Sequence, residues 1–188
     1  MAIKIFIDQG HNPQNPNAGA EANGVREQDV TYEVGVRLGN LLRSNPNFDV
    51  RLSRNSPTEQ LGTSNLTSLQ TRVNLANSWG ADYFISLHCN SNPNPNISGS
   101  EAYVYSMESP AYTMGERILD GLNYRMGMID RGVFVRPSLY VLRATAMPAV
   151  LVEMGYLTNA NDVYLLTSDP EGFARGIYNG ILSYYGLL

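Results

Sequence analysis

At 188 residues, with 43% hydrophobic and 16% charged residues, the chain is long enough to bury one full core and is not natively disordered. Its 13 Lys plus Arg against 17 Asp plus Glu give a net charge of −4 with no basic run, so the electrostatic footprint of phosphate-backbone binding is missing and nucleic acid is not an expected partner. A single cysteine, Cys89, excludes an internal disulfide framework and a Cys-rich zinc site, and no apolar run nears the ~20 residues of a membrane span.

The chain opens on a strand. Ile3, Ile5, Phe6 and Ile7 form a β-branched apolar run suited to burial on both faces, and Asp8-Gln9-Gly10-His11 ends it at once. Asn12-Pro13 and Asn15-Pro16 rule out a continued strand, which leaves His11 just past its carboxyl end, the edge of an open α/β sheet where ligand-binding groups gather. A polar loop leads to Gly24-Val25-Arg26-Glu27. From there Val30, Val34, Leu38, Leu41 and Leu42 recur at helical spacing until Asn45-Pro46. Asp49 to Ser53 reads as a second strand. Thr67-Ser68-Leu69-Gln70 fits a capping box for a helix whose face is Leu69, Val73, Ala76 and Trp79 and whose stop is Gly80.

Tyr83 to Leu87 is the next strand, with His88 at its carboxyl end, followed by an Asn/Pro/Ser/Gly loop from Asn90 to Gly99. Ala102 to Tyr105 is a further strand, and Ser109-Pro110 opens a helix buried through Met114, Ile118, Leu122 and Met126. Asp130-Arg131-Gly132 reads as a turn, with short extended segments at Val133–Val135 and Tyr140–Leu142. Ala149 to Val152 is a clear buried strand that ends at Glu153. A short helix over 161–166 and a last one opened by Asp169-Pro170 complete the chain. Strands alternating with helices predict a single α/β domain over 1–188: a three-layer, open, twisted, mostly parallel sheet with helices on both faces.

Both histidines of the chain thus follow apolar strands at the predicted ligand edge. Glu153 closes a third strand there, and Glu27 returns at the start of the first helix. One histidine after a strand is usually structural, and a glutamate in a first helical turn is usually a dipole partner. Together they are more informative. Two imidazoles and one carboxylate with an open position make a catalytic zinc site, which makes an amide attackable by water at neutral pH. A second carboxylate must then carry the proton to the leaving nitrogen, and Glu153 is placed for that. A carboxylate ending an apolar strand is costly to bury unless it is paired or functional. Cys89 should point away from His88 and serve as a small buried residue.

The motifs IFIDQGH, GVREQD, ADYFISLHCN, GSEAYVY and PAVLVEMGYLTN, in that order, resemble the zinc-dependent N-acetylmuramoyl-L-alanine amidases of the Amidase_3 type over nearly the whole chain. The resemblance implies metal ligands at His11, Glu27 and His88, a catalytic glutamate at Glu153, one zinc ion and peptidoglycan as substrate. It adds Asn90 as a substrate-orienting residue. Two departures stand out. The family's usual Asp-Pro-Gly-His-Gly-Gly opening is here Asp8-Gln9-Gly10-His11-Asn12-Pro13, so the loop after the first ligand must turn differently. The family's frequent site-blocking inserted helix has no counterpart between Ser106 and Ser138, which leads us to expect an open groove. Two alternatives stay open, a wall-binding module without catalysis and a zinc carboxypeptidase or deacetylase acting on wall material. No export signal and no separate wall-binding module are visible. The expected route is synthesis in the cytoplasm and action on the wall after lysis or holin release, as a phage endolysin or a bacterial autolysin.

Overall fold

The computed structural model describes residues 1–188. Its first half runs β1 (Ile3–Gln9), β2 (Glu21–Ala22), β3 (Val25–Arg26), α1 (Glu27–Arg43), β4 (Phe48–Leu52), α2 (Asn65–Trp79) and β5 (Tyr83–Asn90). The second half runs β6 (Ser100–Val104), α3 (Pro110–Met126), β7 (Asp130–Val135), α4 (Tyr140–Ala144), β8 (Ala149–Tyr156), α5 (Ala160–Ser168) and α6 (Pro170–Tyr185). Six strands form one sheet in the order β4-β1-β5-β8-β6-β7, while β2 and β3 make a separate antiparallel hairpin. β4, β1, β5 and β8 are mutually parallel, and β6 and β7 run parallel to each other but against the rest. The predicted mostly parallel α/β architecture is therefore the observed one.

Strand side chains alternate, and the alternation builds two cores of unequal size. Ile5, Ile7, Ile85, Leu87, Cys89, Val150 and Val152 face the larger core under α1, α3 and α6. Phe6, Phe84, Ala149 and Leu151 face the smaller one under α2 and α4. Helices thus cover both faces. Fully buried Val34, Leu38 and Leu42 each contribute roughly 1.5–3 kcal/mol by burial. Continued by period two, the smaller-core face also carries Asp8, Ser86, His88 and Glu153. The candidate residues His88 and Glu153 therefore lie on one face of the sheet, just beyond the helices that cover it.

Four local expectations are corrected. The capping box is Ser64 with Thr67, each side chain accepting the other's backbone N–H at 3.1 and 2.8 Å, so α2 starts at Asn65, ahead of the expected Thr67. Tyr140–Leu142 is helical. The run is too short to show a period, and Leu142 and Arg143 both donate back to the Leu139 carbonyl. Asp130-Arg131-Gly132 begins β7: its turn-like sequence marks a register shift, with Gly132 at φ 98°. Finally, β5 and β8 extend past His88 and Glu153, joined by an Asn90–Tyr156 pair after a bulge. The stretch between Ser106 and Ser138 is taken up by α3 and β7, and α3 packs into the larger core, away from His88 and Glu153.

Candidate active site

Asp8 supports the loop that presents His11. Buried without a partner, its charge would be untenable, but Arg72 of α2, itself 1% exposed, reaches it at 2.6 Å and Ser86 Oγ donates at 2.8 Å. Burial alone would raise the Asp8 carboxyl, and the Arg72 charge and these hydrogen bonds bring it below its ordinary value. The Arg72 guanidinium also donates to the Gln9 and His11 carbonyls at 2.6 Å each and to Asn12 Oδ1 at 3.2 Å. That clamp holds His11 at φ 68°, a left-handed conformation that costs a non-glycine residue about 1–3 kcal/mol. Asn12 completes the turn. Its amide bridges Leu61 N and O and the Pro16 carbonyl, bonds unavailable to the glycine the family usually has after this histidine.

Glu27 is the first residue of α1 and 4% exposed. Its Oε1 lies 3.1 Å from His11 Nε2 and 2.9 Å from His88 Nδ1 and accepts from Cys89 N at 3.0 Å, while Oε2 accepts from Ala20 N at 3.0 Å. Burial pushes this carboxyl up, but the two imidazoles more than offset it and hold Glu27 well below the ordinary range, as a carboxylate. One donor atom from each of His11, Glu27 and His88 lies within 4.8 Å of the others. His11 Nδ1 is buried with no hydrogen-bond partner. One ring nitrogen from each histidine and one carboxylate oxygen make the donor set of a three-residue metal site, and the orphaned nitrogen leaves the His11 ring short of a partner, so the residues present fit a metal ion. The three predicted ligands are brought together.

Gly10 sets how close His88 can come. A Cβ there would stand 2.5 Å from both His88 Cε1 and the Leu87 carbonyl oxygen. Gly10→Ala is therefore expected to displace the His88 ring, destabilise the fold by about 1–3 kcal/mol and weaken metal binding. Thermal melting and metal titration check it, and wild-type values for both would refute the contact.

Glu153 is the direct neighbour of His88 across the β5–β8 ladder, on the same face. Its Oε2 is buried without a partner. Burial first, then the charges of Glu27 and Glu101, push its carboxyl from an ordinary 4.5 to about 8. A carboxyl that titrates near neutrality can both take and return a proton. Asn90 ends β5 with its Nδ2 3.4 Å from Tyr103 Oη, and Cys89 lies in the larger core, opposite His88, with burial raising its thiol.

Arg72 and Glu101 are not among the candidates that the sequence points to. Glu101 opposes Glu153 across β8–β6. It accepts from Tyr103 Oη and Arg131 Nε at 2.7 Å each and from Tyr156 Oη, and these donors overcome burial to keep it ionised. Arg72 had a visible signal: it sits between Leu69 and Val73 in the apolar stripe of α2. Glu101 lies within the GSEAYVY motif, but its pairing with Glu153 depends on β6 entering the sheet antiparallel, which the motif does not state.

The Amidase_3 family, described as N-acetylmuramoyl-L-alanine amidase, matches residues 5–183. N-acetylmuramoyl-L-alanine amidase CwlM of Bacillus licheniformis is 39% identical over 98% of this chain and 70% of its own length. The sporulation-specific N-acetylmuramoyl-L-alanine amidase of Bacillus subtilis is 33% identical over 98% of this chain and 69% of its own length. The crystal structure of N-acetylmuramoyl-L-alanine amidase from Clostridium difficile 630 superposes with a TM-score of 0.85 at 28% identity, covering 98% of this chain and 97% of that one. With this fold and this match along nearly its whole length, the chain belongs to the N-acetylmuramoyl-L-alanine amidase family.

Proposed function

We propose that this chain is a zinc-dependent peptidoglycan hydrolase that cleaves the amide between N-acetylmuramic acid and the L-alanine that begins the stem peptide. The observation that carries the reading is the convergence of His11, Glu27 and His88 beside Glu153, the base candidate, on the adjacent strand. Family membership supplies the bond. A zinc ion bound by the three ligands supplies a Lewis acid that makes an amide attackable by water at neutral pH.

The protein's own groups do the rest. Glu27, kept ionised between two imidazoles, balances the cation and orients both rings. Arg72 fixes the His11 loop through the carbonyl of that residue, so the ligand is held before anything binds. Glu153 takes the proton from the attacking water and returns it to the leaving nitrogen. Asn90 orients the substrate from the end of β5. We assign the catalytic unit to the whole chain as one domain acting on the cell wall, and no helix is long and apolar enough to cross a membrane.

Digestion of purified peptidoglycan by zinc-loaded and chelator-stripped protein, with mass spectrometry of the products, tests bond and metal together. Stem peptides with a free L-alanine amine, lost on chelation and restored by zinc, are the expected products. Released acetate or D-alanine instead would overturn the assignment. His88→Ala is expected to lose both zinc and activity. Stoichiometric zinc in that variant, measured by elemental analysis, would show the ligand set to be wrong.

A further inference from the structure

His88, Glu153 and Glu101 stand side by side on β5, β8 and β6, and Arg131 of β7 extends the row through its Nε contact with Glu101. Beyond the Nε bond that helps keep Glu101 ionised, nothing above uses the rest of the Arg131 guanidinium. Its side chain is 36% exposed. With Nε engaged by Glu101, the guanidinium carbon lies 5.6 Å from the centre of the Tyr156 ring, so the head leans back across β6 towards β8. Besides Glu101, the guanidinium has the Tyr156 side chain as a hydrogen-bonding neighbour, and neither partner takes up all of its donors. Glu101 is satisfied by three donors and acts as the anchor. A guanidinium tethered at Nε and held beside an aromatic ring keeps further N–H donors for a carboxylate.

The row of polar side chains gives the substrate a path: from Glu153 on β8 it continues through Glu101 on β6 to Arg131 on β7, and the leaving peptide is assigned to it. The acyl side then lies towards β1, where a cavity of about 130 Å³ opens beneath His11 and His88 against Leu69, Leu139 and Tyr140. Adjacent strands are about 4.8 Å apart, so β7 is roughly 10 Å from β8, and the inward lean of the guanidinium shortens the gap. A peptide advances about 3.3–3.6 Å per residue. The stem's second residue, an acidic residue in γ-linkage with its α-carboxylate free or amidated, comes within reach.

Resting on the amidase reading, we infer that Arg131 is a substrate-binding residue that takes the free carboxylate of the second stem residue and so selects stems that are not amidated there. The test uses two muramoyl tripeptides that differ only in a carboxylate or a carboxamide at that position. Wild type is expected to favour the free acid about tenfold in kcat/KM, chiefly through KM, the low end for a charge-assisted contact at a partly exposed site. Arg131→Gln should abolish the preference, and Arg131→Lys, with charge but no fork, should keep only part of it. Equal preference in wild type and Arg131→Gln, or none in wild type, overturns the assignment.

Calorimetric binding of the same pair to Glu153→Gln protein, with and without Arg131→Gln, gives a readout that needs no turnover. Arg131-dependent preference in binding without any wild-type cleavage would sink the amidase reading and leave this one standing. Cleavage with no such preference would do the reverse.

Discussion

Glu153→Gln is expected to retain the fold and stoichiometric metal while losing hydrolysis by about 10²- to 10⁴-fold, the span that general acid–base catalysis supplies. The substitution keeps the shape of the side chain and removes only its ability to carry a proton. Metal is expected to remain because His11, Glu27 and His88 make the site without Glu153. Near-normal turnover would end its role as the proton carrier. The same variant has a second, independent signature in chelator-stripped protein. A carboxyl raised from 4.5 to about 8 by folding binds its proton more tightly in the native state than in the unfolded one. Its contribution to stability is therefore fully present below pH 4.5 and lost as pH rises through about 8. Glutamine does not titrate. The melting temperature of Glu153→Gln should match wild type near the lower limit and exceed it increasingly towards the upper one. A gap that stays constant across that window would mean that Glu153 is not buried as described.

The ligand edge was legible because its signals are local. His11, His88 and Glu153 each end an apolar run, and a polar group directly after such a run is visible without knowing which strands pair. Glu27 became informative only beside them, since a glutamate in a first helical turn has an ordinary electrostatic reason to be there. What stayed hidden depends on non-local order. Glu101 and Arg131 join the site only because β6 and β7 run against β8, and no pattern within either strand states that direction. The Asp130-Arg131-Gly132 sequence carries turn chemistry because Gly132 sits at the bulge, so the start of a strand has the sequence of a turn. The Tyr140–Leu142 run fails for a different reason: two adjacent buried side chains on one short turn of helix look the same as a strand buried on both faces.

Arg72→Ala is expected to cost about 3–5 kcal/mol, because it leaves the Asp8 charge buried without its partner. For a chain of this length that is a fall of roughly 6–20 °C in melting temperature. Asp8 and Arg72 are each 1% exposed, so water cannot replace the lost contact. The loss reaches the active site as well. Without the guanidinium, the Gln9 and His11 carbonyls lose their donor, and only the Asn12 bonds remain to offset the cost of holding His11 at φ 68°. Metal affinity should fall by about 10- to 100-fold, the usual effect of removing a group that orients a ligand. Arg72→Lys separates the two effects. It keeps a cation for Asp8 but cannot span Asp8, Gln9, His11 and Asn12 with one planar fork. It should therefore recover most of the stability and little of the metal affinity. Full recovery of both would mean that Arg72 serves only as a counter-charge, and that the His11 loop holds its conformation without it.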